Sequence, residues 1–419
     1  MLVPKLRFKR EDGTDYPEWE EKKLGAIGKA IIGSGFSKKY QGHKDLPIPF
    51  YKVSDMNNVG NEIVMNNSNN YVSEELLLKM GLKACQQNAI IFAKVGAALM
   101  LDRKRIANKP FLVDNNMMIF MPNENNELRY IYHWLTSIRL SKYAQIGALP
   151  SFNASDIEYV IIPLPCLEEQ QKIANFLSNV DEVIAQSEAE VANLQHQKKA
   201  AMQKIFSQEV RFKREDGTSY PEWNSKSFSD NFSSLNNNTF SRNMLSESGS
   251  VCNIHYGDIF VKYGEICDVQ KENIPKVNDH IDTGKYDLLQ DGDIILADTA
   301  EDETVGKATE ILNVDTATVI SGLHTMACRP NYKFAPMYLG YYINSPTYHN
   351  QLLPFMQGIK VTSIGRKNIS ETSISFPCLE EQQKIADFLS AYDEAISYAK
   401  QELDKWKELK KGLLQQMFA

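Results

Sequence analysis

Two nearly identical stretches, 212 residues apart, constrain this chain more than any other feature of its sequence. Pro165–Ser178 reads Pro-Cys-Leu-Glu-Glu-Gln-Gln-Lys-Ile-Ala-Asn-Phe-Leu-Ser, and Pro377–Ser390 repeats it with one change. Over the longer window from Pro165 to Ala185, 16 of 21 positions match their counterparts. A repeat of this length indicates that the chain is built from two copies of one unit.

A second repeated block lies at the start of each half. Arg7–Trp19 returns as Arg211–Trp223 with one difference in 13 residues, and here the shift is 204 residues. Each block contains Asp-Gly, which is a turn signal, and then Pro-Glu-Trp, which suits an entry into ordered structure. The segments between the two kinds of block differ in sequence. We therefore expect a fixed scaffold that carries two different variable segments.

Both variable segments have the patterns of a mixed α+β domain. In the first, the apolar runs Ala89–Ala93 and Phe111–Val113 are bounded by polar and turn residues, which favours strands. Tyr130–Lys142 carries apolar residues at helical spacing. Gln290–Ala297 and Pro336–Asn344 look like the counterparts of a strand and of this helix in the second segment. The sequence predicts one fold shared by two diverged segments.

The repeated Leu-Glu-Glu-Gln block opens a long helical pattern in both halves. Residues at intervals of seven form two mostly apolar rows, offset by four and held over five heptads, which is typical of a coiled-coil seam. A helix over about Leu167–Ser207 would be roughly 60 Å long and needs a partner for its apolar stripe. The residues expected to pair the helices are Ile173, Leu177, Val180, Ile184, Val191, Leu194, Ile385, Leu389, Tyr392, Ile396, Leu403 and Trp406.

The nearest partner for each helix is the other copy. The C-terminus stops where the Arg211 block would begin again, so two units related by an approximate dyad would run their helices antiparallel. The alternative is that each stripe packs only on its own globular segment. The predicted fold class is α+β, with two mixed α/β domains joined by two long helices in an antiparallel coiled coil and a pseudo-twofold internal repeat. The predicted boundaries are 1–160 and 210–372 for the domains, and 161–209 and 373–419 for the helices.

Composition is that of an ordinary soluble globular chain of 419 residues, with 43% hydrophobic and 24% charged residues. No apolar run reaches the roughly 18 residues needed to cross a bilayer, and the N-terminus lacks a secretory signal. The six cysteines form no Cys-x-x-Cys pair, which favours reduced thiols and a cytoplasmic protein without a membrane partner.

Motifs for catalysis are missing from the sequence. There is no phosphate-binding loop, because Val305-Gly-Lys-Ala308 lacks both the leading glycine and the hydroxyl residue. There is no Pro-Pro pair, which excludes the Asp/Asn-Pro-Pro-aromatic motif of amino-methylating enzymes. None of the seven histidines has a second ligand at metal-binding spacing. We predict no catalytic residue, no metal site and no cofactor bound by this chain itself.

Basic residues are the candidates for nucleic-acid contacts, although the net charge is −7. Lys38–Lys109 holds 11 basic against 6 acidic residues, whereas Trp223–Ile364 holds 10 against 17. The second segment must therefore concentrate a few basic side chains on one face. The candidates are Lys38, Lys39, Tyr40, Lys94, Arg103, Lys104 and Arg105 in the first segment, and Arg242, Lys307, Lys360, Arg366 and Lys367 in the second. Arg103 and Arg105 are the best single candidates for base reading, because arginine pairs bidentately with guanine.

Taken together, the layout resembles the specificity subunit of Type I restriction–modification systems. Ile162–Gln170, repeated as Ser375–Gln382, is similar to that family's passage from a recognition domain into a helix. Gly33-Ser-Gly35 followed by Ile48-Pro-Phe-Tyr51 is similar to the start of its recognition domain. The resemblance extends over essentially the whole chain.

The resemblance implies a protein that reads DNA and leaves catalysis to other chains. Each target-recognition domain would read one part of a bipartite double-stranded target, and the helices would fix the spacing of the two half-sites. Two methyltransferase subunits, which use S-adenosylmethionine, would bind the scaffold and methylate adenine. Motor and nuclease subunits, which use ATP and Mg²⁺, would join through them. Two other hypotheses are a coiled-coil protein–protein adaptor without sequence-specific DNA binding, and a self-contained DNA methyltransferase.

Overall fold

The structure, a computed structural model, describes residues 4–145, 149–358 and 361–418. The chain divides into two compact units. The first unit consists of Met1–Glu188 with Gln401–Ala419, and the second consists of Ala189–Lys400. Each unit therefore combines one variable segment with a part of both long helices.

The first unit is built on a five-stranded sheet with the order β2-β9-β6-β7-β4. Its neighbours are antiparallel except at the edge, where β4 runs parallel to β7. A three-stranded sheet β5-β3-β8 and the pair β1-β10 complete the unit. The strands are β1 (Glu20–Lys23), β2 (Gly28–Ile32), β3 (Ile48–Tyr51), β4 (Val64–Met65), β5 (Tyr71–Val72), β6 (Ala89–Ala93), β7 (Lys104–Ala107), β8 (Leu112–Val113), β9 (Met117–Pro122) and β10 (Ile161–Leu164).

The second unit repeats this plan. Its five-stranded sheet has the order β12-β21-β17-β19-β15, again with one parallel pair at the edge, between β15 and β19. The shared fold predicted for the two segments is thereby confirmed. The strands are β11 (Asn224–Ser227), β12 (Phe232–Ser234), β13 (Leu245–Ser246), β14 (Val251–Ile254), β15 (Ile266–Asp268), β16 (Lys276–Val277), β17 (Ile294–Ala297), β18 (Thr299–Ala300), β19 (Ala308–Leu312), β20 (Thr318–Ser321), β21 (Thr325–Pro330), β22 (Thr362–Ser363) and β23 (Ser373–Phe376).

The helices include two of 40 residues each, α6 and α12. The helix predicted over Tyr130–Lys142 ends earlier, at Ser137, because the backbone of Ile138 is extended. The long helix α6 starts at Leu167, since residues 161–164 form β10. The helices are α1 (Leu24–Ile27), α2 (Glu74–Met80), α3 (Gly96–Met100), α4 (Leu128–Ser137), α5 (Ala154–Glu158), α6 (Leu167–Phe206), α7 (Phe228–Asn231), α8 (Tyr256–Asp258), α9 (Tyr338–Ile343), α10 (Pro346–His349), α11 (Arg366–Ser370) and α12 (Leu379–Phe418).

The two long helices run antiparallel within each unit. In the first unit Asp181 of α6 pairs with Lys410 of α12, and Glu188 pairs with Lys407, so partner numbers fall as α6 proceeds. In the second unit Lys198 pairs with Asp393, and Ile205 lies in one apolar cluster with Leu389. All twelve predicted pairing residues are buried or half-buried. The predicted antiparallel pairing is confirmed.

The core of each unit joins the helix pair to the variable segment. In the first unit Ile173 and Leu177 share a cluster with Tyr130 of α4 and with Phe418 at the end of α12. In the second unit the equivalent cluster places Phe206, at the end of α6, against Tyr338, with ring centroids 6.0 Å apart. The heptad rows therefore pack both on the other helix and on the globular part of the same unit.

Candidate nucleic-acid interface

Strand alternation separates the three basic residues from Arg103 to Arg105. Successive side chains of a strand point to opposite faces, so Lys104 and Arg105, the first two residues of β7, point apart. Arg103 precedes the strand, and it bonds to Asn57 while Arg105 bonds to the neighbouring Met56, so the two arginines lie on one side. Lys104 is buried there, with its Nζ 2.8 Å from Asp102 Oδ2 and 2.9 Å from the carbonyl oxygen of Ile138. Burial lowers the pKa of Lys104. The assignment of Lys104 as a DNA contact is corrected, because its amine ties the end of α4 to the sheet.

Arg105 is half-buried, its guanidinium donates to the carbonyl oxygens of Lys104 and Met56, and burial lowers its pKa, so it is a weaker candidate than Arg103. The lysine candidates lie at the surface. Lys38 and Lys39 are exposed on a 3₁₀ turn, and Lys39 Nζ lies 4.6 Å from the ring centre of Tyr40. Lys94 is half-buried at the end of β6. No hydrogen bond among the described residues joins Lys94 to the 3₁₀ turn. These lysines provide separate positive charges for phosphate contacts.

The candidates of the second unit are divided between bound and accessible side chains. Arg242 is held by Asp258 through two hydrogen bonds of 2.8 and 2.9 Å, which raise the pKa of Arg242. Lys307 donates to the carbonyl oxygen of Phe260 at 3.1 Å. Arg366 and Lys367 are exposed at the start of α11. Lys360 lies outside the described residues.

An asparagine-rich loop in the first unit is a candidate that charge counting misses. Seven asparagines occur from Asn57 to Asn70, between β3 and β5. The buried carboxylate of Asp55 accepts hydrogen bonds from the backbone and the side chain of Asn69, at 3.2 and 2.7 Å. The side-chain oxygen of buried Asn61 accepts from the backbone of Asn66 and Asn67. The density of asparagine in the sequence is the signal that points to this loop.

The repeated block around Arg7 closes over the start of the long helix in each unit. Arg7 donates two hydrogen bonds to the fully buried carboxylate of Glu169, at 3.1 and 2.9 Å. Arg211 binds Glu381 in the same way, at 3.3 and 2.9 Å. These bonds raise the pKa of both arginines. The two repeated blocks are therefore one clamp, made of the Arg-Phe-Lys-Arg segment and the first turn of the helix.

The exposed side of this clamp has the same composition in both units. In the second unit a groove of about 610 Å³ is lined by residues of the clamp and of the first turns of α12. Its lining comprises Arg214, Glu215, Asp216, Tyr220, Glu380, Gln383 and Lys384. The matching positions of the first unit, Arg10, Glu11, Asp12, Tyr16, Glu168, Gln171 and Lys172, carry the same residue types.

Metal and membrane chemistry find no support in the described part of the chain. No group of three or more His, Cys, Asp or Glu side chains is placed to hold a metal ion there. Within the same residues no helix is both long and apolar enough to cross a membrane. All six cysteines are free thiols.

Known proteins share both the sequence pattern and the fold. The family model described as "Type I restriction modification DNA specificity domain" matches residues 16–195 and 324–407. The Type I restriction enzyme EcoR124I/EcoR124II specificity subunit of Escherichia coli is 30% identical over 173 residues, a match that covers 39% of this chain and 41% of that protein. The chain thus matches about two fifths of the length of that relative (41%). The putative Type I restriction enzyme MjaX specificity subunit of Methanocaldococcus jannaschii is 23% identical over 427 residues, covering 97% of this chain and 94% of that protein.

Solved structures agree on the fold. The S subunit of a Type I restriction–modification system from M. genitalium superposes with a TM-score of 0.57 at 14% identity, over 100% of this chain and 99% of that one. A chain from a study of complex assembly in the Type I system gives 0.56 at 16% identity, over 96% and 98%. Since the family model covers more than half of the residues, the chain belongs to the family of Type I restriction–modification DNA specificity proteins.

Proposed function

We propose that this chain is the non-catalytic DNA-recognition subunit of a Type I restriction–modification complex and that its two units read the two parts of a bipartite duplex target. The supporting observation is one sheet order that occurs twice, together with two 40-residue helices that begin in nearly identical sequences, while the loops around the sheets differ. Two domains that share one scaffold and differ in their loops are suited to recognising different DNA sequences. The loops carry the sequence-specific contacts, and the exposed lysines supply phosphate contacts.

The duplicated clamp supports a second part of the proposal, which is that the chain is a scaffold for two copies of one partner. Two surfaces lined by identical residue types, one in each unit, suit two identical subunits. We assign these subunits as the methyltransferases of the complex. They would carry S-adenosylmethionine, and motor and nuclease subunits that use ATP and Mg²⁺ would join through them.

Exchange of one variable segment tests the reading function. Residues 224–372 would be replaced by the corresponding segment of another family member, and the methylated sequences would be mapped by sequencing DNA from cells that hold the whole complex. We expect one half of the target to change and the other half to stay the same. An unchanged target would contradict the proposal.

A protein–protein adaptor is the second candidate, and the acidic balance of the second variable segment favours it. Residues from Trp223 to Ile364 hold 17 acidic against 10 basic side chains. Duplex binding at rising salt concentration separates the two functions, because affinity that depends on phosphate contacts falls steeply with salt. DNA affinity that is absent at low salt would favour the adaptor.

A further inference from the structure

Two arginines in this chain are bound to asparagine side chains in the way that other arginines are bound to carboxylates. Arg7, Arg211, Arg242 and Arg329 each pair with a carboxylate at 2.8–2.9 Å. Arg103 and Arg366 have no carboxylate within salt-bridge distance among the residues that the structure describes. Arg103 donates instead to Oδ1 of Asn57, and Arg366 donates to Oδ1 of Asn237 at 2.9 Å. Both guanidinium groups therefore keep their full positive charge available for a ligand.

In the first unit the partner of Arg103 belongs to a loop with a rigid base. Asp55 and Asn61 are both fully buried and hold the loop from below. Besides Asn69, Asp55 binds the backbone of Lys52 at 2.8 Å and the hydroxyl of Ser68 at 3.2 Å. Asn57 is exposed at the rim of this network. The loop can thus present Arg103 in a fixed orientation without ordering a flexible segment on binding.

The same loop is continuous with the basic 3₁₀ turn. Asn70 accepts from the backbone of Gly42 at 3.0 Å, and Lys52 Nζ donates to the side chain of Gln41 at 3.1 Å. Gln41 directly follows the turn Lys38–Tyr40. A surface with lysines at one side and an arginine–asparagine pair at the other matches a protein that binds phosphates and reads base edges together.

In the second unit a different asparagine cluster takes this role. Asn238 and Asn253 are fully buried, and Asn238 Nδ2 donates to Asn253 Oδ1 at 2.6 Å. The neighbouring Asn237 binds Arg366, whose guanidinium also bonds to the hydroxyl of Ser234 and to the carbonyl oxygen of Leu235. Here too a buried amide network lies beside an asparagine that holds an arginine, but in this unit Asn237 is half-buried and Arg366 is exposed.

The two clusters occupy different places in the shared fold. The sheet register makes Lys307 the counterpart of Arg103, and the amine of Lys307 is already bonded to a carbonyl oxygen. The first residue of α11 is Arg366, whereas the first residue of the matching helix α5 is Ala154. Two readers that place their arginine on different elements address different base positions.

We propose that Arg103 and Arg366 each read a guanine in the major groove, one in each half of the target, and that Asn57 and Asn237 are positioning residues for the two guanidinium groups. This inference rests on the proposed DNA-reading function. The asparagine oxygen accepts one N–H and fixes the guanidinium plane. Other N–H groups of Arg103 donate to guanine O6 and N7, and at Arg366 these two acceptors replace the Ser234 hydroxyl and the Leu235 carbonyl oxygen. Arginine is required for this geometry, because lysine offers a point charge without a planar fork.

Replacement by lysine tests the role of each arginine. The full chain, assembled with its methyltransferase subunits, would be used to select duplexes from a randomised library, in the wild-type form and as Arg103→Lys, Arg366→Lys and Arg139→Lys. Arg139 is an exposed arginine of the first unit outside the cluster and is the matched control. We expect each cluster variant to lose about 10- to 100-fold discrimination at one G·C pair of one half-site only. Asn57→Ala should weaken the same position as Arg103→Lys.

The other outcomes separate the two levels of the proposal. A wild-type target without a G·C pair in either half, or variants that keep every base preference, would overturn the guanine-reading role alone. An equal loss of affinity for all sequences, with a changed salt dependence, would show that the arginines contact phosphates. This result would also overturn the guanine-reading role. A wild-type complex without any sequence preference would overturn the proposed function itself.

Discussion

Lys198 Nζ lies 2.6 Å from Asp393 Oδ1 and joins the two long helices inside the second unit. In the first unit the same relationship links Lys410 of α12 to Asp181 of α6. Each helix thus carries an aspartate followed 17 residues later by a lysine, and in each unit the aspartate of one helix meets the lysine of the other. Helices running parallel in register would place aspartate opposite aspartate. The pairs therefore favour the antiparallel orientation, as buried polar groups do in other coiled coils.

Loss of the lysine should cost more in the first unit. Asp181 keeps only 6% side-chain exposure, so Lys410→Met leaves a buried carboxylate without its ion-pair partner and should cost about 3 kcal/mol. Lys198→Met removes the partner of Asp393, which is 40% exposed and keeps the hydroxyl of Tyr341, and of Glu265, which is 29% exposed. Water reaches both carboxylates, so this variant should cost about 2 kcal/mol. Calorimetric melting of each variant measures this order. The exposed Lys199→Met serves as the control, and an equal effect of both buried-pair variants would contradict the argument.

The clamp predicts an asymmetry between two equivalent arginines. Glu169 accepts a hydrogen bond from Trp19 Nε1 at 2.9 Å, whereas the indole nitrogen of Trp223 is buried without a partner among the described residues. Arg7→Met therefore leaves Glu169 one donor, while Arg211→Met leaves Glu381 with none of the side-chain donors described. We expect Arg211→Met to destabilise the chain by about 1 kcal/mol more than Arg7→Met. Thermal melting of the two variants side by side checks this, and the reverse order would refute it.

Much of the fold can be predicted from the sequence, because the strongest sequence signals are periodic. Both heptad rows are buried or half-buried from Ile173 to Ile205, including the lysine at 198, which the pattern places inside the seam. The strand Ala89–Ala93 and its counterpart Ile294–Ala297 are fully buried, as their apolar runs predict. These features depend on local spacing, which a single sequence shows directly.

The candidate site was harder to predict, because it depends on the face to which each side chain points and on the residues that the fold brings into contact with it. Lys104 has the same charge as its neighbours, yet strand alternation turns it into the core. Arg242 looks free in the sequence, and only the fold brings Asp258 to it. The asparagine loop is uncharged, so a count of basic residues passes over it. Polar networks such as that of Asp55 join residues that lie 13 and 14 positions apart, which no local pattern encodes.

A buried carboxyl in the second unit predicts an unusual dependence of stability on pH. Glu310 is buried, and its oxygens accept from the backbone of Met337 and Gly340 at 2.8 Å. Burial raises the pKa of Glu310 from 4.5 to about 7. Between these values the folded unit holds a proton that the unfolded chain has released. This carboxyl therefore favours folding at low pH, and the contribution is lost as the pH rises through 7.

Glu310→Gln should remove that dependence, because the amide does not ionise. The stability of the wild type relative to this variant should fall by up to about 3 kcal/mol between pH 4.5 and pH 8. Melting temperatures of both proteins are measured at several pH values. The difference between the two proteins isolates Glu310, because the other titrating groups contribute equally to both. The exposed Glu301→Gln is the control. A difference that stays constant with pH would show that Glu310 remains ionised in the folded unit.

The first unit should respond to pH in the opposite direction. His133 is buried, and burial together with the charges of Lys410 and Arg129 lowers its pKa from 6.5 to about 3. Its Nδ1 lies 3.9 Å from Asp181 Oδ2, and neither atom has a hydrogen-bond partner among the described residues. In the second unit Tyr341 occupies the equivalent place and donates to Asp393 at 2.6 Å.

Since the unfolded chain protonates this histidine below pH 6.5 and the folded unit does not, the contribution of His133 to stability falls as the pH drops from 6.5 towards 3. The loss should reach about 2 kcal/mol at pH 5.

His133→Tyr copies the arrangement of the second unit: it removes the titrating group and supplies a hydroxyl donor for Asp181. We expect the variant to lose less stability than the wild type between pH 7 and pH 5, even if the larger ring lowers its melting temperature at pH 7 by overpacking. Calorimetry at both pH values measures the slope, with the exposed His43→Tyr as the matched control. A slope that His133→Tyr leaves unchanged would mean that His133 takes up a proton in the folded unit as readily as in the unfolded chain.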